Sequence, residues 1–215
     1  MPKAFSPNSN RDGHSLNRLQ FDGDITGIGT TSGTRIVVGH WPSSHLGEFA
    51  DVMMEFPDGE RLLIAPNQDV REFVTATYNF DRTVLTDVTY TTHGQQTTVS
   101  AGDLVVTFTT GTTTALGRLL SVMPAAIVTA PWFCAISDPI ARLFLRGVRT
   151  RGTAGGGRRE YYGARGQRRV TDVAATWKGD DLGHLADVDP PVHFGFGSTP
   201  KKPSTTRITT TIDER

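Results

Sequence analysis

Nine arginines and no lysine fall between positions 142 and 169, against one acid, Glu160, which leaves the other residues to carry the opposite excess. Guanidinium forks bind phosphate or carboxylate bidentately, and Gly152, Gly155, Gly156 and Gly157 let backbone N–H groups approach the same anion. Arg149, Arg151 and Arg159 are the expected anion anchor, and Tyr161, beside Tyr162, can stack on a ring. A second constellation is His40, His45, Asp51 and Glu55, close enough for neighbouring hairpin strands to pair an imidazole with a carboxylate for acid and base work. His40, His193 and Asp51 are the candidate catalytic residues. His193 alternates with Val192, Phe194 and Phe196, so it faces away from whatever those three pack against.

Other motifs fall short. Gly27-Ile-Gly29 resembles the start of a dinucleotide loop, but a strand follows where a helix is needed. Ser32 is not central in a G-x-S-x-G elbow. The acids between 180 and 189 lack calcium-loop spacing. No metal site and no cofactor is assigned, and Cys134, in an apolar run, reads as a buried thiol rather than a nucleophile.

The elements that must position these residues are mostly β. Runs 21–28 and 34–41 are joined by a Gly29 to Gly33 turn, and 49–56 and 60–65 by Pro57-Asp58-Gly59, which has turn chemistry at every position. Residues 67–78 read as one amphipathic helix capped by Asn67. Strands are expected at 82–90, 95–100 and 104–110, as a meander, then at 147–152, 159–163, 169–177, 192–196 and 206–212, the last as an edge or closing strand. Residues 1–20 read as a flexible tail and 21–215 as one β-rich domain.

Between the β-rich halves lies a helical crossover around residues 116–146. Its stretch 119–136 has no charged residue, but Pro124, Pro131 and the abundance of Ala, Val, Ser and Thr argue against a membrane span. A pair of short buried helices is expected instead, bringing Trp132 and Phe133 to a ligand. With 22 basic and 22 acidic residues there is no overall bias toward nucleic acid. One cysteine and no signal sequence point to the cytoplasm.

Four segments, Phe21-Asp-Gly-Asp-Ile-Thr-Gly-Ile-Gly29, Arg146-Gly-Val-Arg-Thr-Arg-Gly152, Arg159-Glu-Tyr-Tyr-Gly163 and Phe194-Gly-Phe-Gly-Ser-Thr-Pro200, resemble a family of uncharacterised bacterial proteins. The resemblance covers most of the chain after residue 20 and implies no activity, cofactor or site residue.

The fold expected is mainly β: a single antiparallel barrel or curved sandwich with the crossover over one opening. A barrel mouth under a helical lid makes an apolar pocket with a polar rim. The function expected is non-enzymatic binding of a small amphipathic or anionic molecule. An enzyme using a His and carboxylate pair, and nucleic-acid binding through the arginines, are the alternatives. No oligomeric state is assigned.

Overall fold

The computed structural model describes residues 17–122, 124, 151–153, 159–195 and 198–214, with backbone alone at 17–18, 151–153, 159–160 and 213–214. The first four strands are β1 (Asn17–Thr30), β2 (Arg35–Ser43), β3 (Phe49–Glu55) and β4 (Arg61–Ala65), followed by helix α1 (Gln68–Thr75). Then come β5 (Arg82–Leu85), β6 (Val88–His93), β7 (Gln96–Ala101), β8 (Leu104–Thr113) and helix α2 (Ala115–Ser121). The last are β9 (Arg151–Thr153), β10 (Arg159–Trp177), β11 (Asp180–Asp181), β12 (Leu185–Ala186) and β13 (Ser204–Glu214). All join one sheet, in the order β5-β4-β3-β2-β1-β13-β10-β8-β7-β6, with β9, β11 and β12 as side pairings. Pairing is antiparallel throughout except between β4 and β5.

Connectivity explains the curvature. The expected run 82–90 is two strands, β5 and β6, at opposite ends of the strand order yet separated only by Thr86 and Asp87. Leu85 to Val88 spans at most about 11 Å of extended chain, so the two edges must approach each other. The sheet therefore curls into a half-barrel. Its concave face closes on one core that joins Ile28, Ile36, Val38, Val52, Met54, Leu62 and Ile64 from one half to Val99, Leu104, Val106, Phe108 and Val173 from the other. The barrel reading holds in this strongly curled, incompletely closed form.

Local chemistry fixes the hairpins. Asp58 Oδ1 accepts from Glu60 N at 3.0 Å, and Gly59 takes φ 91°, a region open to glycine at no steric cost. Asn67 Oδ1 accepts from Val70 N at 2.9 Å and starts α1, whose Val70 and Val74 face the sheet.

Alternating residues of β2, β3 and β4 point the other way, and that convex face is covered too. Trp41, Phe49, Leu63 and Ala65 pack with Phe21, Ile208 and Ile212 against Val70 and Val74 of α1. Val37 is capped by Val188, Val192 and Phe194. Burial on both faces is why β2 and β3 are buried along nearly their whole length.

Further expectations are corrected. Residues 192–195 form no strand; Val192 and Phe194 are buried in a coil segment that packs across the sheet, with a cis Asp189–Pro190 peptide before them. Of the two readings of the last run, edge or closing strand, the edge is overturned: β13 lies between β1 and β10, its imperfect alternation reflecting Thr209, Thr210 and Thr211 buried on both faces. The separate runs 159–163 and 169–177 are one strand, bent where its registers slip near Gly166 and Thr171. The first strand opens at Asn17, inside the expected tail.

Of the crossover, α2 is described. Thr114 caps it, accepting from Gly117 N at 2.9 Å, while Leu119 and Val122 are exposed. The expected second helix lies outside the described residues. Among those described, no helix is long and apolar enough to cross a membrane.

Candidate functional site

Under α1, on the convex face, the covering is incomplete. A cavity of about 50 Å³ remains, walled by Phe21, Trp41, Phe49, Phe73, Tyr78 and Tyr162, with Val37, Met53, Ile212 and Thr210 between them. The rings meet edge-on or tilted: Phe21 lies 5.7 Å from Trp41 at 70° and 4.9 Å from Phe73 at 41°. The hydroxyls of Tyr78 and Tyr162 hydrogen-bond to each other.

Among the described residues, one charged residue lines this space. Asp51 is 1% exposed, on β3, and its Oδ1 accepts from Trp41 Nε1 at 3.0 Å. Its Oδ2 is buried with no hydrogen-bond partner among the described residues, as is Thr210 Oγ1. An unmade bond on a buried polar atom costs far more than a typical made bond returns, so such an atom needs an explanation. Loss of hydration pushes the Asp51 carboxyl up to about 7, with the Trp41 bond pulling weakly the other way. Gly39 belongs to the same arrangement. A Cβ there would stand 2.4 Å from Asp51 Oδ1 and 2.6 Å from Trp41 Nε1, so only glycine leaves room for that hydrogen bond.

The structure separates His40 from Asp51. Asp51 is opposite Gly39 and His40 opposite Ala50, so the two side chains fall on opposite faces. His40 lies on the concave side, its ring stacked on Tyr90 of β6 at 3.9 Å and 6°. Its cross-strand neighbour is Asp24, and Asp24 in turn pairs across to Arg207. Burial dominates both groups: Asp24 is raised despite Arg207 and His40, and His40 is lowered despite Asp24 and Glu48. A glycine at position 23 lets β1 bulge there, because a Cβ would meet the His40 carbonyl oxygen at 2.1 Å.

His193 does meet a carboxylate. Its Nδ1 is 3.1 Å from Glu55 Oε1 and its backbone N–H donates to Glu55 Oε2 at 2.7 Å. Glu55 is also 2.9 Å from Arg35, both buried. The imidazole itself is 66% exposed, so this cluster anchors the segment around His193 to the sheet rather than lining a cleft. His45 packs edge-on against Phe21 and Phe73.

Of the expected ligand contacts, Trp132, Phe133 and Arg149 lie outside the described residues. Arg151 and Arg159 sit in β9 and β10, where Tyr161 pairs with Arg151 and Thr153 with Arg159. Tyr161 is buried away from the cavity, and its neighbour Tyr162 is the residue that lines it. Further along the cluster, Arg165 lies 3.8 Å from Asp22, and Arg168 donates to the Gly111 carbonyl at 3.0 Å. Among the described residues no group of three or more His, Cys, Asp or Glu is placed to hold a metal.

No family model matches the chain, and no curated protein is similar to it. Among solved structures, one neighbour is a Nitrosomonas europaea protein provisionally named AttH. It is 12% identical, with a TM-score of 0.30, over 91% of this chain and 51% of its own. The chain thus spans about half the length of that neighbour. A likeness so slight bears on neither fold nor function, which rest on the geometry above.

Proposed function

We propose that this chain is a non-enzymatic binding protein for a small, mainly apolar molecule, held in the cavity under α1 with a polar group against Asp51. The observation that carries this reading is the pairing of an aromatic-walled hollow with one buried carboxylate oxygen left without a partner. A small-molecule site combines the same things: apolar walls that supply affinity and a single placed polar group that sets orientation. Of the amphipathic and anionic ligands expected, the amphipathic one suits this cavity, because a buried carboxyl disfavours an anion. The anchor is then Asp51 rather than Arg149, Arg151 and Arg159. A cytoplasmic location, expected from the lone Cys134, belongs to the same proposal.

Met53 and Met54 give an internal test, since Met53 lines the cavity and Met54 is buried in the concave core. In protein carrying ¹³C-methyl methionine, titration with isobutanol or tert-butanol should shift the Met53 methyl signal saturably and leave Met54 in place. Shifts that never saturate, or that move both methyls together, would overturn the reading.

A second reading rests on Asp24 and His40, neighbours whose half-buried positions drive an acid up and a base down, as in acid and base catalysis at neutral pH. It requires turnover of some chromogenic acyl, phosphoryl or glycosyl ester that is lost in both Asp24→Asn and His40→Ala. Activity no greater than that of the double variant on every ester would eliminate it.

A further inference from the structure

We infer that the cavity under α1 is a recognition site for an ammonium group, and best for a methylated one, with Asp51 as its counter-ion and the surrounding rings as its cage. This rests on the binding role proposed above and names the chemical class that role would serve.

Three independent features converge. The first is charge: Asp51 is the acidic residue lining the cavity, and among the described residues no Arg, Lys or His lines it beside Asp51. The titratable groups that do face the space are Tyr78 and Tyr162, which bond to one another, while His45 packs edge-on against two of the wall rings, Phe21 and Phe73. A buried carboxylate without an internal cation is completed by a ligand that brings one. The second is the wall. Aromatic faces attract cations through their quadrupoles, and the attraction grows when water is excluded, which is how cages of Trp, Tyr and Phe recognise quaternary ammonium. Phe21, Trp41, Phe49 and Phe73 come from three strands and α1, so the cage exists only in the folded chain.

The third is size. A water-sized group needs about 10–15 Å³ of such space, so 50 Å³ holds roughly four heavy atoms. That is the head of a methylated amine and not a larger ring system. A methylated ammonium also sheds its hydration more readily than a bare one, whose several N–H donors would have only two unpartnered oxygens near them, the buried Asp51 Oδ2 and Thr210 Oγ1. Burial raises the Asp51 carboxyl to about 7, and a bound cation must lower it, so binding and deprotonation are linked.

The test uses the full chain and the Met53 methyl signal, with tetramethylammonium against tert-butanol, a neutral probe with the same number of heavy atoms. At pH 8 the cation should bind at least tenfold more tightly. Its affinity should fall close to tenfold per pH unit below 7, while that of the alcohol stays level. Asp51→Asn should abolish the preference; should that variant fold poorly, the two pH profiles of the unaltered protein decide the matter. Equal binding of both probes, or a cation affinity independent of pH, would overturn the ammonium assignment and leave the binding role standing. Binding of neither would remove both.

Discussion

Replacing Asp51 by asparagine should change how stability responds to pH more than it changes stability at any one pH. In the folded protein the carboxyl sits at about 7 against an ordinary 3.8, because hydration is lost and the single bond from Trp41 compensates weakly. A raised acid contributes stability that is complete below 3.8 and disappears as pH rises through about 7. Between pH 5 and pH 8 the loss spans roughly two pH units, and at about 1.4 kcal/mol per unit this residue should cost the wild-type protein about 3 kcal/mol. Asparagine keeps an oxygen for Trp41 Nε1 and places an amide where Oδ2 was. That amide stands where the neutral carboxyl carries its own O–H below pH 7, so the two side chains place a donor at the same buried position. Urea unfolding at pH 5 and at pH 8 measures the difference. The variant should gain on wild type by about 3 kcal/mol between the two pH values. A difference between the two proteins that is the same at both pH values would refute the argument, because it would mean that Asp51 is ionised throughout.

Other perturbations follow from the same geometry. Glu55→Leu strands the buried Arg35 and should cost about 3–5 kcal/mol in urea unfolding. It should also speed hydrogen exchange at the His193 amide, which loses its acceptor. Met54→Ala, in the concave core, should cost about 2–5 kcal/mol. Met53→Ala, at the cavity wall, should cost less than Met54→Ala in the same measurement and widen the site toward larger probes. Asp24→Asn should lower the His40 titration midpoint further in an NMR pH series, since the Asp24 carboxylate opposes the effect of burial. An unchanged or raised midpoint would contradict that pairing.

What the sequence made legible was local. The turn at Pro57-Asp58-Gly59, the Asn67 cap and the paired runs around them are dictated within a few residues, and they fold as read. What failed depended on partners far along the chain. The run 82–90 looks continuous, yet its halves join opposite ends of the sheet across Thr86 and Asp87, a decision made by the two edges they complete. Thr206 to Ile212 looks like an edge because its alternation is poor, whereas burial on both faces removed the need for alternation.

The site was half legible for the same reason. Among His40, His45, Asp51 and Glu55 the spacing does not say which imidazole meets which carboxylate: residues 40 and 51 sit one step out of register and so face apart, and Glu55 meets His193 instead. Of Tyr161 and Tyr162, both readable as stacking rings, Tyr162 lines the cavity, a matter of one residue in a strand. Phe21, Trp41 and Phe49 were missed. Their only signal was three aromatic residues on strands flanking an amphipathic helix, which identifies a core as readily as a cage.

The most direct test of the account is the titration of Asp51 itself, followed through its γ-carboxyl carbon by ¹³C NMR without and with tetramethylammonium. The geometry predicts a midpoint near 7 in the free protein that falls as the cation is added. A midpoint near 3.8, unmoved by the cation, would contradict both the buried, unpartnered carboxyl and the site built on it.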